Sequence, residues 1–585
     1  MTEAVRNSVV GCAPRSFQPE HEPTSHRLLR RFDAVDAWDI ASLVLLAVVS
    51  ALVLATFRDY GITNDEWVQQ RYGELIIDYY RSGFSDRSLF SFDNLYLYGG
   101  LFDVTATLLH KVCSLDLFAL RHLLSAACGV AGIAAAIATA RLIAGPRAGL
   151  LAGLALAVCG FWYGAMFHHT KDVPLGAAMA GAMYFLVRLA RDCPEPRLRH
   201  LIGFGVLTGC ALGIKVLALL LLCYLPVAIA LNVSSAGNCR NASVRFARSL
   251  LAVVPALLIA YAIMLLAWPW SALALLNPIR GLFSFGEFHY AIRTVLDGQV
   301  YQMASVPRWY IPAYLTIKTP LLMLIGAALA VVMLVLPRAW AGDGQRRRET
   351  AIVAFAVLFP VTCEVVVHGP AFCGMRHFIF VLPPLAVLAG IGLDVILRLA
   401  SRIGTVVVAA AFAVMVAVFA YNAVLLIRLH PYEYLFYNPL VGGLQGASRR
   451  YVTDYWFTIM PEAVQRLESY IARTDPPEAH KRAYSVALCG PRDTFLHLRT
   501  PNLRWAQVWE TADFFIAPTH MNCDRDIDAK IAVKIERLGV PIGYVKDLRD
   551  RAHSKLSPSP ERADRVEALF PAGSNSSHAT RGHGG

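Results

Sequence analysis

Residues 40–67 read IASLVLLAVVSALVLATFRDYGITNDEW. The stretch 40–57 is apolar or small throughout, close to the length that an α-helix needs to cross the hydrocarbon core of a bilayer. Two adjacent carboxylates, Asp65 and Glu66, follow shortly after it. A helix that only spans a membrane has no need of paired acids at its end. The stretch therefore predicts a membrane protein with chemistry at the membrane surface.

The composition of the whole chain supports a membrane protein. Its 585 residues are 56% hydrophobic and only 16% charged, whereas about a quarter of the residues of a soluble domain are charged. The mean hydropathy of +0.48 is too high for a surface that faces water. A string of soluble domains is therefore excluded.

About eleven apolar segments have the length or composition of spanning helices. Nine are single spans, and the long run Leu201–Leu231 is predicted to be two short helices that meet near Lys215 on the outer side. The nine are Ile40–Phe57, Leu123–Ile143, Ala148–Phe167, Pro174–Ala190, Ser249–Trp268, Thr316–Leu336, Ala351–Val367, Phe378–Leu397 and Thr405–Ile427.

The net charge of +12 follows the predicted topology. The five short loops on one side of these spans hold fifteen arginines and four acidic residues. Because basic residues accumulate in cytoplasmic loops, this side is predicted to be cytoplasmic. The N-terminus then lies inside and, with an odd number of spans, the C-terminus lies outside. The excess charge is explained by topology, and a nucleic-acid-binding protein is not indicated.

Four regions are predicted: a cytoplasmic leader at 1–39, a transmembrane domain at 40–429, an extracytoplasmic α/β domain at 430–553 and a disordered tail at 554–585. The tail is rich in Ser, Pro, His and Gly. In the outer domain we expect strands at Tyr484–Gly490, Phe514–Thr519 and Pro541–Lys546, and helices at Pro461–Arg473 and Asp526–Leu538. Its two cysteines, Cys489 and Cys523, would pair in an oxidising space.

Asp65 and Glu66 are the first candidate catalytic residues. Neighbouring residues of a helix point about 100° apart, so the two carboxylates cannot face one substrate atom. The residues that follow, from Trp67 to Tyr79, and a second segment from Leu101 to Val112, have the amphipathic pattern of helices in the membrane interface. The spacing is equally compatible with Asp65 as the N-cap of the first of these helices.

The next outer loop reads FHHTKDVP over residues 167–174. It places Lys171 and Asp172 at the start of a predicted span, where Asp172 is either functional or an N-cap preceding a proline. His168 and His169 raise the alternative of a divalent metal ion, although adjacent residues of a helix are poorly spaced for chelation.

Three cations are expected at the outer ends of spans: Lys215, Lys318 and Arg376. An ammonium between two apolar runs costs about 2.5–3.5 kcal/mol to insert, so Lys215 is expected to bind an anion or to line a cavity. Snorkelling to the interface is the alternative. Three cations on one face would suit a phosphate or diphosphate group.

This arrangement resembles the polyprenyl-phosphate-dependent glycosyltransferases of the GT-C fold, and more narrowly the protein O-mannosyltransferase and aminoarabinose transferase group. The resemblance rests on the Asp-Glu pair, the interfacial segments, the Lys-Asp-Val-Pro loop, the Gly-rich stretch 209–215 ending in Lys215, and the segments 376–384 and 437–444. It covers roughly residues 40–460. The loop Pro269–Leu315 is too short for the inserted domain of eukaryotic protein mannosyltransferases, so a protein acceptor is not implied.

The resemblance implies a bacterial inner-membrane enzyme that transfers a sugar with inversion from a polyprenyl-phosphate donor to the hydroxyl of a lipid, glycan or protein at the outer face. Asp65 would be the general base, with Glu66 and Asp172 in support. Lys215, Lys318 and Arg376 would bind the donor phosphate. The acceptor-binding or supporting residues would be Lys171, His169 and Tyr98. No cofactor is implied with certainty, and a divalent metal ion is an open alternative.

Two other classes of function are compatible with the same features. A transporter or flippase for an anionic lipid-linked substrate would use the same cations, but no internal repeat is found and the charges gather on one side. A scaffold of an envelope complex would use the outer domain as its contact surface.

Overall fold

A computed structural model describes residues 36–233, 239–286, 292–336, 343–476, 482–550 and 555–556. The predicted leader therefore lies outside the described residues up to position 35, and so does the predicted tail apart from one two-residue strand. The helices of the membrane part are α1 (Ala37–Thr56), α2 (Asn64–Arg81), α3 (Leu101–His110), α4 (Leu117–Ala144), α5 (Pro146–Ala157), α6 (Gly160–His168), α7 (Asp172–Asp192), α8 (Leu198–Leu212), α9 (Leu220–Val233), α10 (Cys239–Ala267), α11 (Pro269–Leu273), α12 (Asn277–Gly286), α13 (Tyr310–Lys318), α14 (Leu321–Val335), α15 (Gly344–Val367), α16 (Leu382–Ile403) and α17 (Thr405–Leu429).

Each predicted span overlaps helix, but Ala148–Phe167 and Thr316–Leu336 are each divided into two helices by a bend. Among the described residues, eight helices are long and apolar enough to cross a membrane, or ten if each of two bent helix pairs counts as one span. The pairs are α5 with α6, bent by 65°, and α13 with α14, bent by 118°. The remaining predicted span corresponds to α8, which has fifteen residues. The chain is thus a multi-pass α-helical membrane protein.

The prediction of one continuous helix at Thr316–Leu336 was wrong. The chain breaks at Thr319 and Pro320, and both residues have extended backbone angles. A residue before proline is pushed out of the helical region by contact with the proline ring. This break bends the chain by 118° between α13 and α14 and leaves Lys318 at the end of α13.

The core of the membrane part surrounds α16, which packs against α4, α5, α14, α15 and α17. Small residues permit this close packing, as is usual between membrane helices. A Cβ on Gly392 of α16 would lie 1.9 Å from the carbonyl oxygen of Gly326 on α14. The two backbones can therefore touch only because neither residue has a side chain.

The loops predicted to be cytoplasmic meet at one end of the bundle through ion pairs. Arg147 pairs with Asp394 at 2.7 Å, and Arg191 pairs with buried Glu349. The short helices α2 and α3 lie at the other end, as expected. A further pair there, α11 and α12, was not predicted; α12 leaves Ile279, Leu282 and Phe283 exposed, the pattern of an interfacial helix.

His430 connects the end of the last span to the end of the first. Its ring lies 2.8 Å from a carboxylate oxygen of Glu433 and 3.0 Å from one of Asp59, and the hydroxyl of Tyr60 donates to Glu433. Burial lowers the pKa of His430, but hydrogen bonds and charge from the two carboxylates outweigh it and raise the pKa above its usual value. The outer domain is therefore attached to the bundle by a charged contact.

The outer domain contains the helices α18 (Gly443–Ala447), α19 (Met460–Thr474) and α20 (Arg492–Leu498). Two strands, β1 (Arg293–Leu296) and β2 (Gln299–Gln302), belong to the membrane part. The other strands are β3 (Tyr484–Leu488), β4 (Leu503–Trp505), β5 (Phe514–Pro518), β6 (Ile527–Asp528), β7 (Lys530–Arg537), β8 (Val540–Asp547) and β9 (Lys555–Leu556). The main sheet has the order β4-β3-β5-β8-β7, with β3 parallel to β4 and β5 and the other pairs antiparallel. A disulfide joins Cys489 after β3 to Cys523 after β5.

The helix predicted at Asp526–Leu538 was wrong, because this segment forms β6 and β7. Val533 and Ile535 point inward while Lys534 and Glu536 point outward, which is the period-two pattern of a strand. Leu538 and Gly539 both have positive φ, 52° and 75°, as a tight two-residue hairpin turn requires. The other predicted elements of this domain are confirmed.

Candidate active site

A buried network of ion pairs joins four of the predicted residues at the end of the bundle opposite the arginine-rich loops. The ammonium of Lys215 lies 2.6 Å from Asp172 Oδ1, and the guanidinium of Arg376 lies 3.0 Å from Asp172 Oδ2. Arg376 also pairs with Asp65 through Nη2. The starts of α2 and α7, the turn after α8 and the turn before α16 supply these side chains. Sequence positions 311 residues apart therefore meet in one site.

Asp65 is not the N-cap of its helix. The N-cap is Thr63, and the carboxylate of Asp65 points away from the helix start to Arg376. Its side chain is 22% exposed, against 3% for Asp172. Asp65 is thus the carboxylate of this network that is most accessible to a substrate.

Glu66 points in a different direction, as the helical geometry predicted. Its carboxylate accepts hydrogen bonds from the backbone N–H and the hydroxyl of Thr63, at 2.8 and 3.1 Å. It also lies 3.2 Å from Nε2 of His122. Glu66 is fully buried, and its contacts fix the start of α2 and thereby the position of Asp65.

Lys215 does not snorkel to the interface, because its residue is only 5% exposed. Its ammonium donates to Asp172 and lies 3.2 Å from Nδ1 of His377. An ammonium has no acceptor, so Nδ1 of His377 is the acceptor and its proton sits on Nε2. His377 was not singled out from the sequence, although its position next to Arg376 was the available signal.

A second buried network lies beside the first. Asp103 of α3 pairs with Arg121 of α4 at 2.8 Å, and the ammonium of Lys171 lies 3.6 Å from the other oxygen of Asp103. Arg121 also donates to Gln69 and Gln70 of α2. The network ties the two interfacial helices to the bundle. Asp103 and Arg121 were not predicted, since neither stands in a recognisable motif.

Tyr98 lies between the two networks. Its ring is 4.7 Å from the ammonium of Lys171 and 5.9 Å from that of Lys215. The next residue, Gly99, touches the turn that carries Lys215: a Cβ there would lie 2.0 Å from the carbonyl oxygen of Gly213. This contact fixes the distance between the first outer loop and the lysine.

An aromatic wall from the outer domain closes one side of the site. Trp456 lies under the guanidinium of Arg376 at 4.3 Å, and the hydroxyl of Tyr455 is 2.7 Å from Nε2 of His169. Burial lowers the pKa of His169 well below its usual range, so the ring is neutral. These two aromatic residues were not predicted, and their shared position in an aromatic run was the available signal.

Lys318 is engaged outside this network. It donates to the carbonyl oxygen of Tyr434 at 2.9 Å, and its ammonium lies 3.7 Å from the centre of the Tyr437 ring. The break at Pro320 gives the side chain this direction. Of the three cations predicted to share a site, the structure brings Lys215 and Arg376 together.

The donor groups do not fit a divalent metal ion. The oxygens of Asp172 face Lys215 and Arg376, and Asp65 faces Arg376, so cations already occupy the positions that a metal would take. Among the described residues, the group of three metal-ligand side chains that lie close enough is Cys489, Cys523 and Asp526. Its two cysteines are joined in the disulfide.

Comparison with known proteins agrees with the resemblance found in the sequence. Residues 101–270 match the family of dolichyl-phosphate-mannose-protein mannosyltransferases. No curated protein matches the chain at a significant level. The match covers α3 to α10, the region that supplies Asp103, Asp172 and Lys215.

Two solved structures are similar to the chain. One is ArnT from Cupriavidus metallidurans bound to undecaprenyl phosphate, with 17% identity and a TM-score of 0.45 over 88% of this chain and 99% of that one. The other is the oligosaccharyltransferase of Archaeoglobus fulgidus, with 11% identity and a TM-score of 0.45 over 76% of this chain and 62% of that one.

The family match confirms the resemblance to the polyprenyl-phosphate-dependent glycosyltransferases of the GT-C fold. The chain is accordingly a membrane-embedded glycosyltransferase with a small C-terminal α/β domain.

Proposed function

We propose that this enzyme transfers a sugar from a polyprenyl-phosphate donor to an acceptor hydroxyl at the outer face of a bacterial inner membrane. One observation carries the proposal. A partly exposed carboxylate, Asp65, lies in the same network as two cations, the buried Lys215 and the largely buried Arg376. A base for a hydroxyl and cations for a departing phosphate are the two functions that such a transfer needs.

In the proposed reaction the acceptor oxygen attacks the anomeric carbon of the donor sugar, and the bond from that carbon to the phosphate oxygen breaks. Asp65 takes the proton of the acceptor hydroxyl. The electron pair of the broken bond stays on the phosphate, which leaves as polyprenyl phosphate with one more negative charge. Lys215 and Arg376 stabilise this charge in a site from which water is largely excluded. Because the leaving group is already an anion, no general acid is required.

The contact between Arg376 and Asp65 has a consequence for the order of events. The guanidinium of Arg376 engages an oxygen of Asp65, so this oxygen is not open to the proton of an acceptor hydroxyl. A donor phosphate would attract Arg376 and compete with Asp65 for its guanidinium. Donor binding would therefore free Asp65 to accept the proton, and we expect the donor to bind before the acceptor reacts.

Asp172 is proposed to hold the two cations in place, since it contacts both of them and is buried. Glu66 is proposed to position Asp65 through the start of α2. His169 and the aromatic wall around Tyr455 and Trp456 would line the acceptor side. The arginine-rich end of the bundle supports a cytoplasmic N-terminus, and the proposal puts the network and the domain at 430–553 on the outer side of the membrane.

The test uses the purified full-length protein with a panel of polyprenyl-phosphate sugars and extracted envelope lipids, glycans and peptides. Products are identified by mass spectrometry. We expect at least one donor to lose its sugar to an acceptor, with release of polyprenyl phosphate. If the protein moves an anionic lipid across vesicles but no donor is ever cleaved, a carrier is indicated and the proposal is wrong.

A further inference from the structure

The ammonium of Lys171 is buried, and among the described residues it has no hydrogen-bond partner. The whole residue is only 5% exposed. Leaving a charged donor unsatisfied in a protein interior costs more than leaving a neutral one. Lys546, another buried lysine, donates to a backbone carbonyl oxygen. A ligand that accepts a hydrogen bond from Lys171 would therefore be stabilised at this position.

The groups around Lys171 do not satisfy it. The nearest carboxylate oxygen, on Asp103, is 3.6 Å away, beyond hydrogen-bond distance, and the other oxygen of Asp103 pairs with Arg121. The rings of Tyr98 and Tyr72 lie 4.7 and 5.5 Å from the ammonium. Burial lowers the pKa of Lys171, and the charges of Asp103 and Asp65 oppose the shift. An anion close to the ammonium would remove this penalty.

The charges of the two networks favour an anion with one negative charge. Together they contain three carboxylates and four cations: Asp65, Asp103 and Asp172, with Arg121, Lys171, Lys215 and Arg376. One positive charge is in excess. A polyprenyl-phosphate sugar is a phosphodiester and carries one negative charge, so its binding would make the combined site neutral.

The position of Tyr98 indicates where the anion binds. Both ammonium groups, of Lys171 and of Lys215, lie over this one ring. The contact of Gly99 with Gly213 holds the ring against the Lys215 turn. A phosphate at Lys215 would therefore lie near the Tyr98 ring, which the ammonium of Lys171 also contacts.

We propose that Lys171 is the second lysine of the donor-phosphate site and binds the phosphate together with Lys215 across Tyr98. This inference rests on the proposed function and refines it. It replaces the expectation that Lys171 binds the acceptor, and it gives Lys171 the role for which Lys318 was a candidate.

The experiment measures binding of polyprenyl monophosphate to the purified full-length protein in nanodiscs by native mass spectrometry. The variants are Lys171→Met, Lys171→Arg and Lys215→Met. Lys171→Met leaves Asp103 paired with Arg121, so the second network keeps its ion pair. Lys546→Met is the matched control, since it removes a buried lysine from the outer domain. Donor and acceptor KM are measured in parallel on the active variants.

A hydrogen bond to a charged group is worth about 1.5–3 kcal/mol, or about a 10- to 100-fold change in affinity. We expect Lys171→Met to weaken phosphate binding by that factor, Lys171→Arg to recover most of it, and Lys546→Met to stay within about twofold of the wild type. The KM for the donor should rise and that for the acceptor should not. If Lys171→Met does not fold, Lys171→Gln takes its place, because it also removes the charge but keeps a polar side chain, and the same loss of phosphate binding is expected.

Two results would overturn the inference. In one, Lys171→Met binds polyprenyl phosphate as the wild type does while Lys215→Met does not; Lys171 is then no phosphate ligand, but the proposed function stands. In the other, only the acceptor KM rises. If Lys215→Met also binds normally, the phosphate site itself is misplaced and the proposed function fails with it.

Discussion

Replacing Asp172 by Asn tests the electrostatics of the site independently of catalysis. The substitution removes one negative charge from between two buried cations, at 2.6 Å from Lys215 and 3.0 Å from Arg376. At an effective dielectric constant of about 20, attraction across the shorter distance is about 6 kcal/mol. Desolvation of both ions cancels part of this, and removal of one member of a buried pair costs about 3–5 kcal/mol. We expect the free energy of unfolding to fall by that amount.

The double substitution Asp172→Asn with Lys215→Met makes the test specific. Arg376 retains Asp65 as a partner, so Lys215 is the cation that the single substitution leaves without a carboxylate. Removing it as well should recover about 2 kcal/mol or more, because coupled residues are not additive. Unfolding in mixed detergent, followed by intrinsic fluorescence, measures all three variants. If the double variant is destabilised by the sum of the two single effects, the two side chains do not interact and the reasoning fails.

Three further predictions concern the surroundings of the site and the outer domain. Gly99→Ala should cost about 1–3 kcal/mol of stability and reduce donor affinity, because the added methyl group displaces the Lys215 turn; Gly404→Ala, with open space around it, should do neither in the same thermal-shift and binding assays. The raised pKa of His430 means that its contacts stabilise the fold fully below about pH 6.5 and lose their effect as the pH rises through the raised value; the difference in stability between wild type and His430→Gln should therefore shrink from pH 6 to pH 9, and a constant difference would contradict the assignment. Cys489→Ser should destabilise the outer domain by about 2–4 kcal/mol, since the disulfide closes a loop across a separation of 34 residues with Cys523, and equal urea midpoints with and without reductant would contradict this.

The membrane part was predictable because a long apolar run is unfavourable in water, and in lipid it must form a helix to satisfy its backbone hydrogen bonds. The direction of Asp65 and Glu66 also followed from helical geometry alone. What the sequence left open was whether Asp65 caps its helix. That question depends on Arg376, which is distant in sequence and reaches Asp65 only through the packing of α16 at the centre of the bundle.

The two wrong predictions of secondary structure have local physical causes. Thr316–Leu336 is apolar enough to span, and its break depends on one proline whose effect was not weighed. The segment Lys530–Arg537 lacks Gly and Pro and so resembled a helix, although its alternating burial and the hairpin turn at Gly539 are those of a strand. The roles of Tyr455 and Trp456 could not be predicted, since the outer domain brings them to the site.

Asp65 is proposed to be the base in the transfer of a sugar from a polyprenyl-phosphate donor. The most direct measurement compares the rate of sugar transfer by wild type and Asp65→Asn at saturating donor and acceptor. General base catalysis contributes about 10²- to 10⁴-fold, so kcat should fall by that factor while binding of polyprenyl phosphate is retained. If Asp65→Asn transfers sugar at a rate close to that of the wild type, Asp65 is not the base and the account of this site is wrong.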